Sequence, residues 1–313
     1  MGLLKNFDFD WEQYLFHNPD LVNAGINTQS KAWKHFVKFG KQEGRRCNKI
    51  NNTIISGEKI QDRCDYCICS YDDKINNKIN NKWIDVLNLK AEISGENIKI
   101  FCYTHVLYNN FENLLYILNN INNKFDIYFH NSDCNFLHIH YEKLSKIKSL
   151  NNIYSQNNIV NEVITLPIGQ ANSKWEHGDC NILNNKIQFI EKTNEIFLNF
   201  GISTPKRIPY KKSLDFIPWV ENTNYRDYID KLSTYKYCIC VEGNGFDTHR
   251  FWECVYLKVI PICINNEFVS NNKDIFPMIV LDNWEELKNK QLDYNIIDWD
   301  KYKNLLDINS YFI

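Results

Sequence analysis

From residue 98 onward, short apolar runs alternate with stretches whose apolar residues recur every three or four positions. Residues 98–103, 125–129, 153–154 and 163–167 read as strands, and 111–118 as a helix with Leu114, Leu115 and Leu118 on one side. Residues 144–147 also read as helical. A second series has strands at 195–200, 216–219, 237–241, 259–264 and 278–281, an amphipathic helix at 225–232, and helical pieces at 284–287 and 299–306. Strands alternating with helices predict an α/β chain whose parallel sheets are joined by right-handed crossovers.

The first part of the chain has a different rhythm. Trp11, Tyr14 and Leu15 are helically spaced, and Asn18-Pro19-Asp20 breaks that pattern. Thr28 or Ser30 is placed to cap a third helix with Trp33, Phe36, Val37 and Gly40 on its inner side, closed by Gly40 and Gly44. His17 and His35 read as packing or surface residues. The division expected is a small helical module over 1–48, a polar Asn- and Lys-rich linker over 49–96 with a possible strand near Cys67, and Rossmann-like domains over 97–180 and 181–313. C-terminal helices finish the second domain, and the tail crosses back to the first.

Polar residues gather where predicted strands end, at Thr104-His105, 130–133, 155–157 and 169–179. Open α/β sheets bind ligands beyond the carboxyl ends of their strands. The most informative end follows residues 237–241. Glu242-Gly243-Asn244-Gly245-Phe246-Asp247 supplies a turn, with two glycines free to take positive φ and admit a ligand against the backbone. Asp247 or Thr248 is placed to cap the next helix. On that helix Arg250 and Glu253 share a face, with Asp247 one turn earlier, while Phe251, Cys254 and Val255 form an apolar stripe. A helix amino end beside a guanidinium suits a diphosphate, and a carboxylate one turn on suits two vicinal ribose hydroxyls. A capped surface helix with an internal ion pair fits the same spacing. In 166–179, Pro167 and Gly169 fix an irregular path, and Trp175, Glu176 and His177 offer stacking, base and hydrogen-bonding groups. A rigid hinge with a buried Trp is the competing reading.

Composition narrows the classes. At 313 residues with a net charge of −2, the chain has room for two domains but no basic field for nucleic acid. No apolar run approaches the roughly eighteen residues of a membrane span, so a soluble, cytoplasmic protein is expected. Of 11 cysteines, Cys102, Cys238, Cys240 and Cys263 fall in predicted strands, where Cys acts as a small apolar residue. Cys64, Cys67 and Cys69 look like half a zinc ribbon with Cys47 as a distant fourth ligand, but there is no second close pair.

The run from Cys238 to Ile262 resembles the donor-binding segment of exostosin-like glycosyltransferases, which have the GT-B fold. The likeness is carried by Cys238-Ile239-Cys240, Glu242-Gly243, Arg250, Glu253 and Lys258-Val259-Ile260-Pro261-Ile262, with Lys258 standing where the family has Gly. Lys236-Tyr237, Glu242-Gly243 and Thr248-His249-Arg250 are also similar to a series in Rumi-type protein O-glucosyltransferases. Residues 7–47, with Asn18-Pro19-Asp20-Leu21 and Glu43-Gly44-Arg45, resemble a small helical module found beside glycosyltransferases of bacteria and large DNA viruses.

These resemblances imply a GT-B-like α/β fold: two Rossmann-like domains facing a cleft, preceded by the helical module. They imply a nucleotide sugar, UDP-sugar first, as donor on the second domain, and a glycan or glycoprotein acceptor on the first. Transfer is expected to be inverting, with a base on the acceptor side and no metal or cofactor required. On the donor side Arg250 and the backbone of Gly243, Asn244, Gly245, Asp247, Thr248 and His249 are assigned to the diphosphate, with Thr204 and Arg207 in reach of it. Glu253 is assigned to the ribose, and Glu242 to the sugar or to holding the loop. Candidate bases are Asp133, His177, His130, Glu176 and His105, all at strand ends or in the cleft loop; Asp133 and His177 are favoured because each has a polar neighbour to orient it. Asp72-Asp73 imitates the metal-binding acidic pair of the GT-A class but sits in a polar stretch and reads as a solvated turn. Two rivals stand beside this reading. One is a non-catalytic carbohydrate-binding protein on a transferase scaffold. The other is a DNA-base glucosyltransferase, against which the near-neutral charge argues.

Overall fold

The computed structural model describes residues 11–40, 43, 53–77, 79–187, 191–202 and 204–312. Gly44, Arg45, Cys47 and the side chain of His17 lie outside the described residues. Within them the chain forms two wholly parallel sheets. The first contains β1 (Tyr66–Cys69), β2 (Lys82–Asp85), β3 (Ile98–Tyr103), β4 (Phe125–His130), β5 (Leu150–Ser155) and β6 (Ile164–Thr165), ordered β2-β1-β3-β4-β5-β6. The second contains β7 (Asn194–Phe197), β8 (Tyr235–Ile239), β9 (Ile260–Ile264) and β10 (Ile279–Leu281), ordered β10-β9-β8-β7. The central strands are covered on both faces, which is why they read as continuous apolar runs. All four residues of β1 are buried, as are Ile100 to Tyr103 in β3.

The stretch 49–96 is not a linker. It contributes β1, β2 and the helices Gly57–Asp62 and Tyr71–Asn76, started by Ser56 and Ser70 as N-caps. The first α/β unit therefore begins near residue 54. β1 is the strand expected near Cys67, whereas β2 was missed because it is an edge strand with Ile84 as its one buried residue. Two further expectations fail. Residues 216–219 form no strand, since Pro218 has no amide to give a ladder. The helix expected at 144–147 lies at His138–Leu144, where His140 is buried among aromatic rings.

Three helices, Trp11–His17, Pro19–Asn23 and Gln29–His35, and a π-turn at Phe36–Gly40 precede the sheets. They close over their own cluster of Tyr14, Leu15, Leu21, Ala32 and Phe36. Thr28 caps the third helix through Lys31 N–H at 3.4 Å. Trp33 and Val37, expected inside, are exposed. Gly40 packs on Tyr14, whose hydroxyl would lie 2.3 Å from an added Cβ.

At the other end the chain returns to the first sheet. Ile308 N–H donates to Thr53 O at 2.9 Å, Tyr128 OH donates to Tyr311 O at 2.9 Å, and the Phe312 ring stacks on Tyr128 at 4.7 Å. The two sheets are thus linked by covalent and packed connections on both sides.

The helix that carries Arg250 runs His249–Tyr256 and packs its Trp252 completely out of solvent. Burying an indole of this size stabilises the fold by on the order of 5 kcal/mol. The helix ends in a Schellman closure, with Val259 N–H to Cys254 O at 2.8 Å and Lys258 N–H to Val255 O at 3.1 Å. Lys258 takes the left-handed conformation there, at φ 54°. The chain keeps the glycine-type backbone turn with a lysine, at a cost of about 1 kcal/mol.

Candidate functional site

A cleft of about 760 Å³ opens between the two sheets, at the carboxyl ends of their strands. One wall comes from the ends of β7 and β8 and from the Tyr225–Leu232 and His249–Tyr256 helices; the other brings Asp133, Ile168, Glu176 and His177. A smaller cavity of about 300 Å³ adjoins it, and Asp133, Ile168 and His249 border both. The switch point of the first sheet, between β1 and β3, is instead occupied by a capping box. There Asp73 accepts from Ser70 N–H at 3.1 Å and pairs with His105 Nε2 at 3.1 Å. This accounts for Asp73 and removes His105 from the cleft.

The second domain supplies the cations. Arg250 lies under the cleft with its guanidinium over the rings of Tyr228, at 4.9 Å, and Phe197, at 5.8 Å. Its Nη1 is buried and has no hydrogen-bond partner, and among the described residues no other buried cationic nitrogen is left so. No ion pair joins Arg250 to Glu253; Glu253, 4% exposed, accepts from Tyr228 OH at 2.7 Å. The internal ion pair allowed by the spacing is therefore not formed. Arg207 reaches the same cleft, held by Glu242 O at 2.8 Å and Gly201 O at 2.9 Å. Burial and then the charge of Arg250 push its pKa down. Two guanidiniums in mutual repulsion, one with an Nη1 that makes no hydrogen bond, form a site that is improved by an anion between them.

The loop over these arginines is built differently from the sequence expectation. Neither Gly243 nor Gly245 has positive φ. Gly245 is needed because Asn157 of the first domain sits against it, 2.5 Å from where a Cβ would be. Gly243, Asn244 and Thr248 line the cleft, and Thr248 holds the N-cap position without its hydroxyl bonding the first turn.

Asp247 and His249 join the domains. Asp247 accepts from Ile168 N–H at 2.7 Å and from Trp252 Nε1 at 2.8 Å, while its own N–H donates to Asn157 Oδ1 at 2.9 Å. His249 Nδ1 bonds Gly169 O at 2.8 Å. The Asp247 carboxylate is thus a latch between the domains. Glu242, unlike Asp247, does not line the cleft; its carboxylate turns to Lys206 at 3.5 Å. Thr204 is buried with its hydroxyl unpartnered and also lies outside the lining.

Burial pushes the Asp247 pKa up from 3.8 to about 7, against the opposing pull of the Ile168 and Trp252 hydrogen bonds. The fold holds this proton more tightly than the unfolded chain does. The associated stability is complete below the unfolded value and is lost as pH rises through about 7. The stability of the wild type relative to Asp247→Asn, measured by urea unfolding, should fall by about 2–3 kcal/mol from about pH 5 to about pH 8. A difference that stays flat over that range would mean the carboxylate is ionised in the fold throughout.

Among the base candidates, His130 is eliminated. It is 1% exposed, accepts Asn131 N–H on Nδ1 at 2.8 Å and donates from Nε2 to Pro167 O at 3.0 Å. Burial pulls its pKa down to about 4, so it is a neutral structural residue. Asp133, Glu176 and His177 are exposed and line the cleft, and Asp133 accepts from Asn244 Nδ2 of the second domain at 3.1 Å. Trp175, read as a candidate buried hinge residue, is 55% exposed and borders the smaller cavity.

Tyr225, Tyr228 and Asn199 also line the cleft, and pattern alone did not mark them. The two tyrosines are three residues apart on one helix face, and Asn199 lies just beyond β7. Both were signals of the kind that strand-end and helix-face rules can find. Among the described residues no helix is long and apolar enough to cross a membrane. Comparison with protein-family models and with curated proteins finds no significant match.

Proposed function

We propose that this protein is a glycosyltransferase of two-domain, GT-B type that moves a sugar from a nucleotide diphosphate to an acceptor hydroxyl. The observation that carries the reading is the unpartnered Nη1 of Arg250 beneath an interdomain cleft, beside Arg207. A diphosphate between the two guanidiniums satisfies the orphan donor and neutralises their repulsion. As the sugar–phosphate bond breaks, the same groups stabilise the charge that develops on the leaving group. Glu253, held by Tyr228, faces the nucleoside and accepts from ribose hydroxyls. Asp133 stands on the acceptor side, where it takes the proton of the attacking hydroxyl from the face opposite the leaving group, consistent with inversion. The donor acids and bases are segregated, with both arginines on the second domain and Asp133 on the first.

The test is a thermal-unfolding panel of UDP-, GDP-, dTDP- and CMP-sugars with the parent nucleotides. At about 100 times its dissociation constant, one nucleoside diphosphate should add about 2.7 kcal/mol of stability, and CMP, with a single phosphate, markedly less. Equal and negligible shifts across the panel would remove the reading. A non-catalytic carbohydrate-binding protein would be stabilised by saccharides alone and leave every nucleotide sugar intact.

A further inference from the structure

Behind the wall that carries Arg250, three thiols converge. Cys238 lies in β8, Cys240 just beyond it, and Cys254 on the His249–Tyr256 helix. All three are buried, their Sγ atoms lie within 4.8 Å of one another, and Cys240 and Cys254 are 3.9 Å apart. Alternation along the strand puts residues 238 and 240 on one face, and Cys254 follows Arg250 by one helical turn. Packing alone accounts for the burial of the three sulfurs, but not for their convergence on one point.

We propose that Cys238, Cys240 and Cys254 bind one Cu⁺ ion as a three-coordinate thiolate site. The size fits: an ion bonded at about 2.3 Å to three sulfurs in a plane sets those sulfurs about 4 Å apart. The donor set is soft, which selects Cu⁺ and Zn²⁺ among common ions. Coordination number separates these two. Zinc in structural sites takes four ligands, and no fourth His, Cys, Asp or Glu joins the trio among the described residues. Binding releases the S–H protons and forms three Cu–S bonds with no change of oxidation state. The resulting complex carries two negative charges, and Arg250 lies next to it. The site neighbours Arg250, which the sugar-transfer reading also uses, but its test does not depend on that reading.

The full chain is titrated anaerobically with Cu⁺ in competition with a chromogenic Cu⁺ chelator. One equivalent should be retained by the wild type, and its X-ray absorption should show three sulfur neighbours at about 2.3 Å. Cys238→Ser and Cys254→Ser should each weaken retention at least tenfold. Cys67→Ala should not, although Cys67 and Cys69 are also 3.9 Å apart, because among the described residues no third thiol completes that pair. No retained copper, two-sulfur coordination, displacement of Cu⁺ by equimolar Zn²⁺, or unchanged affinity in both Ser variants would overturn the assignment. The absorption measurement on the wild type decides the matter if the variants do not fold.

Discussion

Asp133→Asn is expected to lower the rate of sugar transfer by about 10²- to 10⁴-fold while leaving nucleotide affinity within about threefold. The substitution preserves size and the ability to accept from Asn244 Nδ2, so the loop on which residue 133 sits keeps its contact with the second domain. What it removes is the lone pair able to take a proton. Asp133 is preferred to Glu176 and His177 because it borders both cavities and is bonded by a residue of the opposite domain, which fixes its orientation. Glu176→Gln and His177→Asn should therefore cost less than Asp133→Asn. Single-turnover rates at saturating donor measure this directly, and a loss under tenfold for Asp133→Asn would transfer the base role elsewhere.

The second large effect concerns Arg250. Arg250→Met should weaken binding of a nucleoside diphosphate by about 3 kcal/mol, or roughly 150-fold, since the charge-assisted bonds to phosphate are lost. The same variant should not lower the melting temperature of the free protein. A buried cationic nitrogen without a partner costs stability, and the flexible thioether of Met fills the space over Tyr228 and Phe197. Lost binding with retained stability is what separates a ligand-binding arginine from a structural one. Arg250→Lys should recover little, because a point ammonium does not reproduce the planar fork. A melting temperature that drops sharply in Arg250→Met, with affinity unchanged, would make the residue a core element.

The parallel sheets were legible because strands covered on both faces leave contiguous apolar runs, as in Ile98–Tyr103 and Ile260–Ile264. β2 escaped because an edge strand keeps a polar side, whereas β1 lies where the apolar run around Cys67 pointed to a strand. The spacing of Arg250 and Glu253 placed both on the cleft, as helical geometry requires. Their partners were out of reach of local pattern. Tyr228 lies 25 residues from Glu253, and Ile168 lies 79 residues from Asp247. Asp247 looked like part of a ligand site because an acid beside a glycine loop is a common sign of one. Its carboxylate accepts from Ile168 and its N–H donates to Asn157, both across the domain boundary, and these bonds make it a latch. His130 stands at a strand end like a catalytic base, yet only the fold reveals that both its nitrogens are already engaged.

A crystal structure with the nucleoside diphosphate that stabilises the protein most tests the central claim. The diphosphate is predicted to lie within hydrogen-bond distance of Arg250 Nη1 and of Arg207, with the ribose toward Glu253. Density for it at any other place, with Arg250 Nη1 still unpartnered, would contradict the account.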